Sequence, residues 1–83
     1  MYTIYILFSE KFDKFYVGQT NNFSIRLKQH NDGKSGFTKL YRPWKEVLLI
    51  EKDSRSQAME LERKLKNLSK KRLVAFIAKY KIE

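Results

Sequence analysis

Tyr2-Thr3-Ile4-Tyr5-Ile6-Leu7-Phe8 and Lys14-Phe15-Tyr16-Val17, joined by the polar run Ser9-Glu10-Lys11-Phe12-Asp13, decide the fold of this 83-residue chain. Both flanks are dense in β-branched and aromatic residues, which suit a pleated, half-buried surface. A link of about five residues suits a hairpin. Each strand carries one tyrosine, Tyr5 and Tyr16, beside an apolar core position. Directly opposed residues of an antiparallel pair share a face, so the two phenols converge only if paired residue numbers sum to an odd value such as 21. Gly18 then ends the second strand, where a side chain would block the approach of a ligand backbone.

Beyond Gly18, Asn21-Asn22 is expected to cap a short helix carrying Phe23 and Leu27 at i and i+4, ended by Asn31-Asp32-Gly33. Arg26 and His30 share the same spacing on a neighbouring face. Residues 33–43 form a polar, basic connection whose conformation these residues do not decide, with room for a helical turn before Pro43. Val47-Leu48-Leu49-Ile50, within Trp44 to Glu51, is too short for a helix and suits a buried third strand. Ser54 and Gln57 form a capping box ahead of Ala58, Leu61, Leu65 and Leu68, which recur at helical intervals. Ser69 caps a last amphipathic segment with Leu73, Phe76, Ile77 and Tyr80 on one face. The expected class is α+β: a small three-stranded antiparallel sheet, the N-terminal hairpin plus a third strand, flanked by helices. Residues 1–83 are expected to form one domain, because a chain this short buries only about 60 to 65% of its unfolded surface and supports one modest core.

Eighteen Lys and Arg against nine Asp and Glu leave a net charge of +9, so polyanions are the expected partners. No apolar run approaches the roughly 20 residues of a spanning helix, and Met1 to Leu7 lacks a basic leader and cleavage site. A cytoplasmic protein without membrane attachment is therefore expected. With no cysteine and one histidine, thiolate and multi-histidine metal sites are excluded, and any metal must be held by oxygen. Between Arg63 and Lys81 lie eight Lys or Arg, faced by a single acidic residue, Glu83. Such an excess costs self-repulsion unless a polyanion meets it. Arg63, Lys66, Lys70 and Lys71 are the candidate phosphate contacts there, and Lys34, Lys39, Arg42 and Lys45 extend the track. Neutralising about five phosphates would give a log-log salt slope of about 4 to 5.

Taken in order, Tyr2 to Leu7, Tyr16-Val17-Gly18-Gln19-Thr20, Arg26 with His30, Arg42-Pro43-Trp44 and Glu62-Arg63-Lys64-Leu65-Lys66 resemble the GIY-YIG nuclease superfamily over essentially the whole chain. The likeness is nearest to its small stand-alone bacterial members. It implies a metal-dependent DNA endonuclease that nicks branched, flapped or damaged DNA, with RNA left open as a substrate. By similarity Tyr16 lies next to the attacking water as general base, His30 accepts or relays the proton, and Tyr5 bonds the phosphate or its water. A free phenol titrates near ~10, so it works as a base at neutral pH only beside a cation, and Arg26 is the obvious one. Arg26 would also stabilise the charge that builds on the phosphoryl oxygens. Glu62 would be the sole protein ligand of one Mg²⁺ or Mn²⁺, bound weakly without substrate. The chain departs from the pattern at Thr3, where the first signature has glycine, and at Gln19, a candidate nucleic-acid contact at the position where several relatives have a lysine, whose loss would slow the chemistry.

Singly, each of these residues has a plainer reading. Strand tyrosines usually pack, a lone helical histidine is usually solvated, and Glu62 can pair with Lys66 four residues on. Only the full set points to catalysis. The competing function is a nucleic-acid-binding module of the same fold without useful turnover. A helix-turn-helix factor is disfavoured, because the hairpin comes first and no tight helical pair precedes it. No target-selecting domain fits in 83 residues, so target choice is expected to come from substrate shape, a protein partner or a homodimer. The pathway served, whether repair, recombination or a mobile element, is not legible in these residues.

Overall fold

A central strand organises the molecule. β1 (Tyr2–Ser9) lies between β2 (Lys14–Thr20) and β3 (Lys45–Lys52), giving an antiparallel sheet of order β2-β1-β3. The computed structural model describes residues 1–34 and 36–82. Helix α1 (Phe23–Asn31) and a 3-10 turn at Thr38–Tyr41 precede β3, and α2 (Arg55–Lys66) and α3 (Lys70–Ile82) follow it. The α+β class and the element order match the sequence expectation.

The two sheet faces hold separate clusters because side chains alternate along each strand. On one face Ile4, Ile6, Val17, Leu48 and Ile50 pack against Ala58 and Leu65 of α2 and Leu73 and Ile77 of α3. Tyr5, Leu7 and Trp44 occupy the other, against Tyr16, Phe23, Leu27 and Tyr41. Each fully buried aliphatic side chain contributes about 1.5 to 3 kcal/mol of transfer free energy, so the larger cluster is the main source of stability. A register shift in the β1–β3 pairing leaves Val47 as an extra residue between Leu48 and Glu46, a bulge that lets Val47 pack on the larger cluster as well.

Local signals fix the helix ends. Asn22 accepts from the Ile25 amide, Ser54 Oγ from Gln57 and Ser69 Oγ from Arg72. Two boundaries differ from expectation. Ser9 pairs with Lys14, so the hairpin loop is Glu10–Asp13, with Asp13 in the left-handed region at φ 55°. β2 also continues through Gly18 to Thr20 rather than ending there, because Tyr5, Ile4 and Thr3 go on pairing with Gly18, Gln19 and Thr20.

Candidate active site

Every pair in the β1–β2 ladder sums to 23, odd as convergence requires but shifted by two residues from 21. Leu7 therefore opposes Tyr16, and Tyr5 opposes Gly18. The tyrosines share a face as diagonal neighbours, ring centroids 6.3 Å apart. This register explains the glycine. A β-carbon at position 18 would lie 2.5 Å from the Tyr5 hydroxyl oxygen and 2.6 Å from Cζ, so Gly18 makes room for the Tyr5 ring crossing its own strand, not for a ligand backbone.

Helix α1 is seated on that face by Phe23 and Leu27, and this carries His30 into the interior, where it is fully buried. The plainer reading of a lone helical histidine, that it is solvated, does not hold for His30, because α1 lies flat on the tyrosine face. His30 Nε2 is 2.9 Å from Tyr5 Oη, and Nδ1 is 2.7 Å from Thr38 Oγ1. Both partners are hydroxyls able to donate or accept, so either tautomer is satisfied. Trp44 Nε1 donates to the Thr38 carbonyl at 2.8 Å and holds the 3-10 turn over the imidazole. Burial, and then the charge of Arg26, lower the His30 pKa to about 4, so the ring is neutral at pH 7. Of the two tyrosines it is hydrogen-bonded to Tyr5; Tyr16 meets it edge to face, centroids 5.0 Å apart.

Arg26 donates from Nη1 to Gln29 Oε1 at 2.9 Å, which aims its guanidinium. Its guanidinium also lies near the Tyr5 phenol. Burial raises the Tyr5 pKa above 10, the neighbouring Arg26 opposes that rise, and Tyr16 and Glu62 add to it. Tyr5 is 1% exposed, whereas Tyr16, on the edge strand, is half-buried. Glu62 projects from α2 beside β2, one turn from the core residues Ala58 and Leu65. Its side chain keeps 18% of its surface exposed and pairs through Oε2 with Lys66 Nζ at 2.9 Å. Lys66 in turn sits 6.0 Å from the Tyr16 ring centre. All five sequence candidates, Tyr5, Tyr16, Arg26, His30 and Glu62, thus gather at the β2 side of the sheet.

The donor set suits one hard cation. Among the described residues no group of three or more His, Asp and Glu gathers closely enough to hold an ion. A single part-exposed carboxylate fits Mg²⁺ or Mn²⁺, which retain waters and take oxygens from a phosphate.

The basic candidates divide. Lys66 lies within the site, whereas Lys70 bonds the Asp13 side chain and, at 3.1 Å, its carbonyl. Lys45 pairs with Glu10 at 3.3 Å, and Arg42 donates to the Lys39 carbonyl at 3.0 Å. Lys34, Lys39, Arg63 and Lys71 are exposed. Gln19 opposes Ile4, which turns it to the sheet face away from the tyrosines. Thr38, Gln29 and Asn31 were not singled out for the site from sequence. Asn31 bonds both the amide (2.6 Å) and the carbonyl (3.0 Å) of Trp44, pinning the start of β3 to the end of α1. The Asn31-Asp32-Gly33 stop signal gives the helix end but not this second use.

Comparison with known proteins agrees with this fold. The UPF0213 protein YazA of Bacillus subtilis is 34% identical over 68 residues, covering 81% of this chain and 69% of the relative. A UPF0213 protein of Syntrophus aciditrophicus is 41% identical over 69 residues, covering 80% and 79%. The solution NMR structure of the UPF0213 protein BH0048 from Bacillus halodurans superposes with a TM-score of 0.62 at 28% identity, over 94% of this chain and 84% of that one. The family model described as the GIY-YIG catalytic domain matches residues 1–80, and the chain accordingly belongs to the GIY-YIG family.

Proposed function

We propose that this chain is a phosphodiester hydrolase, an endonuclease that nicks one strand of DNA at a time with one Mg²⁺ or Mn²⁺. The reading rests on one observation: buried Tyr5 and His30, with part-buried Arg26 beside them, stand behind the more accessible Tyr16, Glu62 and Lys66. Nothing in a packing role calls for a guanidinium, an imidazole and a carboxylate at the edge of one small sheet. Each is what in-line attack on a phosphate needs.

In this proposal Tyr16 orients the attacking water and, acting in its deprotonated form, would receive its proton, because it is the phenol that solvent reaches. Tyr5 cannot share that work, since burial favours its protonated form. It positions Arg26 and is itself held by His30. A neutral His30 with its pKa near 4 is a weak proton acceptor, so its part is orientation more than relay. Arg26, prealigned by Gln29, stabilises charge on the phosphoryl oxygens. Glu62 would hold the metal ion, which when bound supplies neutralisation of the phosphate and a more acidic water. Lys34, Lys39, Arg42, Lys45, Arg63, Lys70 and Lys71 would position the backbone of the DNA.

The test is a nicking assay with Mg²⁺ and with Mn²⁺ on linear, flapped, branched and single-stranded DNA, beside Glu62→Ala and Tyr16→Phe. Cleavage that requires the metal, Glu62 and Tyr16 is expected, each loss costing at least about 100-fold. The Glu62–Lys66 ion pair favours one second reading, a binding module whose carboxylate serves only as a structural counter-ion. Binding that persists in both variants, with no cleavage by the parent chain, would support that reading instead.

A further inference from the structure

An aromatic row leads away from Tyr16 along the surface. Tyr16 and Phe37 have centroids 6.3 Å apart, Phe37 and Tyr41 5.1 Å, and Tyr41 and Phe12 5.4 Å. Three of the four rings carry an ammonium: Lys66 lies 6.0 Å from the centre of Tyr16, Lys14 5.1 Å from Tyr41 and Lys11 5.5 Å from Phe12. Phe37 is 49% exposed and Phe12 41%. Beside the row opens a cavity of about 400 Å³, shared by Tyr16, Phe37, Lys14 and Lys66 and floored by Phe15 and Leu65. Asp13 also lines it, but its carboxylate is neutralised by Lys70.

Core packing does not account for this arrangement. Tyr16 and Tyr41 also pack against the smaller core cluster, but Phe37 and Phe12 stand exposed, and the lysines beside the rings add to the self-repulsion of a chain already at +9. Alternating cations and exposed rings are instead what unpaired nucleotides require. The ammonium groups meet phosphates while the rings stack on bases, and every base has a π face. Paired bases are hidden inside a duplex, so the same row has nothing to stack on when the strand is paired.

We infer that the Tyr16–Phe37–Tyr41–Phe12 row and its cavity form a binding surface for unpaired nucleotides beside the bond to be cut. The inference rests on the hydrolase reading only for the word "cut", since the surface binds with or without turnover. The substrates would be single strands and strands that leave a duplex at the site, and the row would hold the unpaired arm. Phe37 is the central contact, because it touches both Tyr16 and Tyr41 and is the most exposed of the four.

The experiment is a metal-free binding titration by fluorescence anisotropy. It uses labelled single-stranded DNA, the same sequence as RNA, a blunt duplex and anionic phosphatidylserine vesicles, with the full chain, Phe37→Ala, Phe37→Tyr and Lys14→Gln. Circular dichroism would establish that each variant is folded. Single strands should bind tighter than the duplex. Phe37→Ala should weaken single-strand binding about 5- to 150-fold for each stacked base lost, with duplex binding little changed. Phe37→Tyr should restore it, and Lys14→Gln should lower the salt slope by about one. The DNA and RNA arms tell which sugar the surface accepts. Equal loss on duplex and single strand, no loss in Phe37→Ala, or vesicle binding that depends on Phe37 while oligonucleotide binding does not, would overturn the inference. Selective binding without any nicking would leave it standing while the hydrolase reading fell. Nicking without selectivity would do the reverse.

Discussion

Replacing Gly18 with alanine adds one methyl group to a site that has no room for it. The new β-carbon would start 2.5 Å from Tyr5 Oη and 2.6 Å from Cζ, against an ordinary contact of about 3.5 to 4 Å. Something must move by about 1 Å. The strand cannot easily do so, because Gly18 is paired with Tyr5 within the β1–β2 ladder. The ring cannot either, being 1% exposed and packed against Phe23 at 5.5 Å and His30 at 5.7 Å. Overpacking of this kind costs about 1 to 3 kcal/mol. If the phenol swings aside it also leaves His30 Nε2, and an unsatisfied buried group adds about 1 to 3 kcal/mol. Alanine returns about 0.5 to 1 kcal/mol through its smaller backbone entropy loss in a strand. The net expectation for Gly18→Ala is a loss of about 1 to 5 kcal/mol, read as a lower urea midpoint at unchanged slope. Tyr5→Phe combined with Gly18→Ala should recover part of it, since Oη is gone but Cζ remains close. A Gly18→Ala protein within about 0.5 kcal/mol of the parent would refute the argument, as would strictly additive single and double changes.

The burial of His30 predicts an acid-sensitive fold. With its pKa lowered from 6.5 to about 4, the unfolded chain takes up the proton first, so this stability is complete above pH 6.5 and is lost as pH falls toward 4. Its limit is about 3 kcal/mol, and urea midpoints between about pH 7 and 4.5 should show that slope in the parent but not in His30→Gln. Lys66→Met removes the counter-ion from Glu62, so calorimetric titration of Mn²⁺ without DNA should give tighter binding, by up to about fivefold; weaker binding would mean that Lys66 does not compete for that carboxylate. Asn31→Ala deletes both bonds to the Trp44 backbone and should cost about 1 to 3 kcal/mol, lowering Tm by about 4 to 8 °C for each kcal/mol. An unchanged Tm would show that β3 does not need this clamp.

What could be read in advance followed from local chemistry. The strand composition of residues 2–8, the Asn22, Ser54 and Ser69 caps and the Ala58–Leu65 spacing are each decided within a few residues, and each recurs in the fold. Even the shared face of the tyrosines needed only parity. The shift of the pairing sum from 21 to 23 was not readable, because it depends on how tightly Glu10–Asp13 can turn with Asp13 at positive φ. Thr38 and Phe37 were missed for a related reason. They lie where hydrophobic periodicity is silent, and their positions follow from Trp44 and His30 gripping the 3-10 turn from two sides.

Strand order explains why two tyrosines of similar local sequence come to differ. Hydrophobic content favours a third strand, but nothing in Val47 to Ile50 tells it whether to pair with β1 or β2. Because it pairs with β1, Tyr5 lies on a central strand, covered by α1, and Tyr16 lies on an edge strand beside open cavity. Burial then keeps Tyr5 protonated and tied to His30, while Tyr16 stays within reach of water and of Lys66. Had β3 joined β2 instead, Tyr16 would be the enclosed phenol, and Glu62 and Lys66 would have no open edge to reach around. The division between an enclosed tyrosine and an accessible one therefore arises in the sheet topology, one level above the motif in which both residues are written.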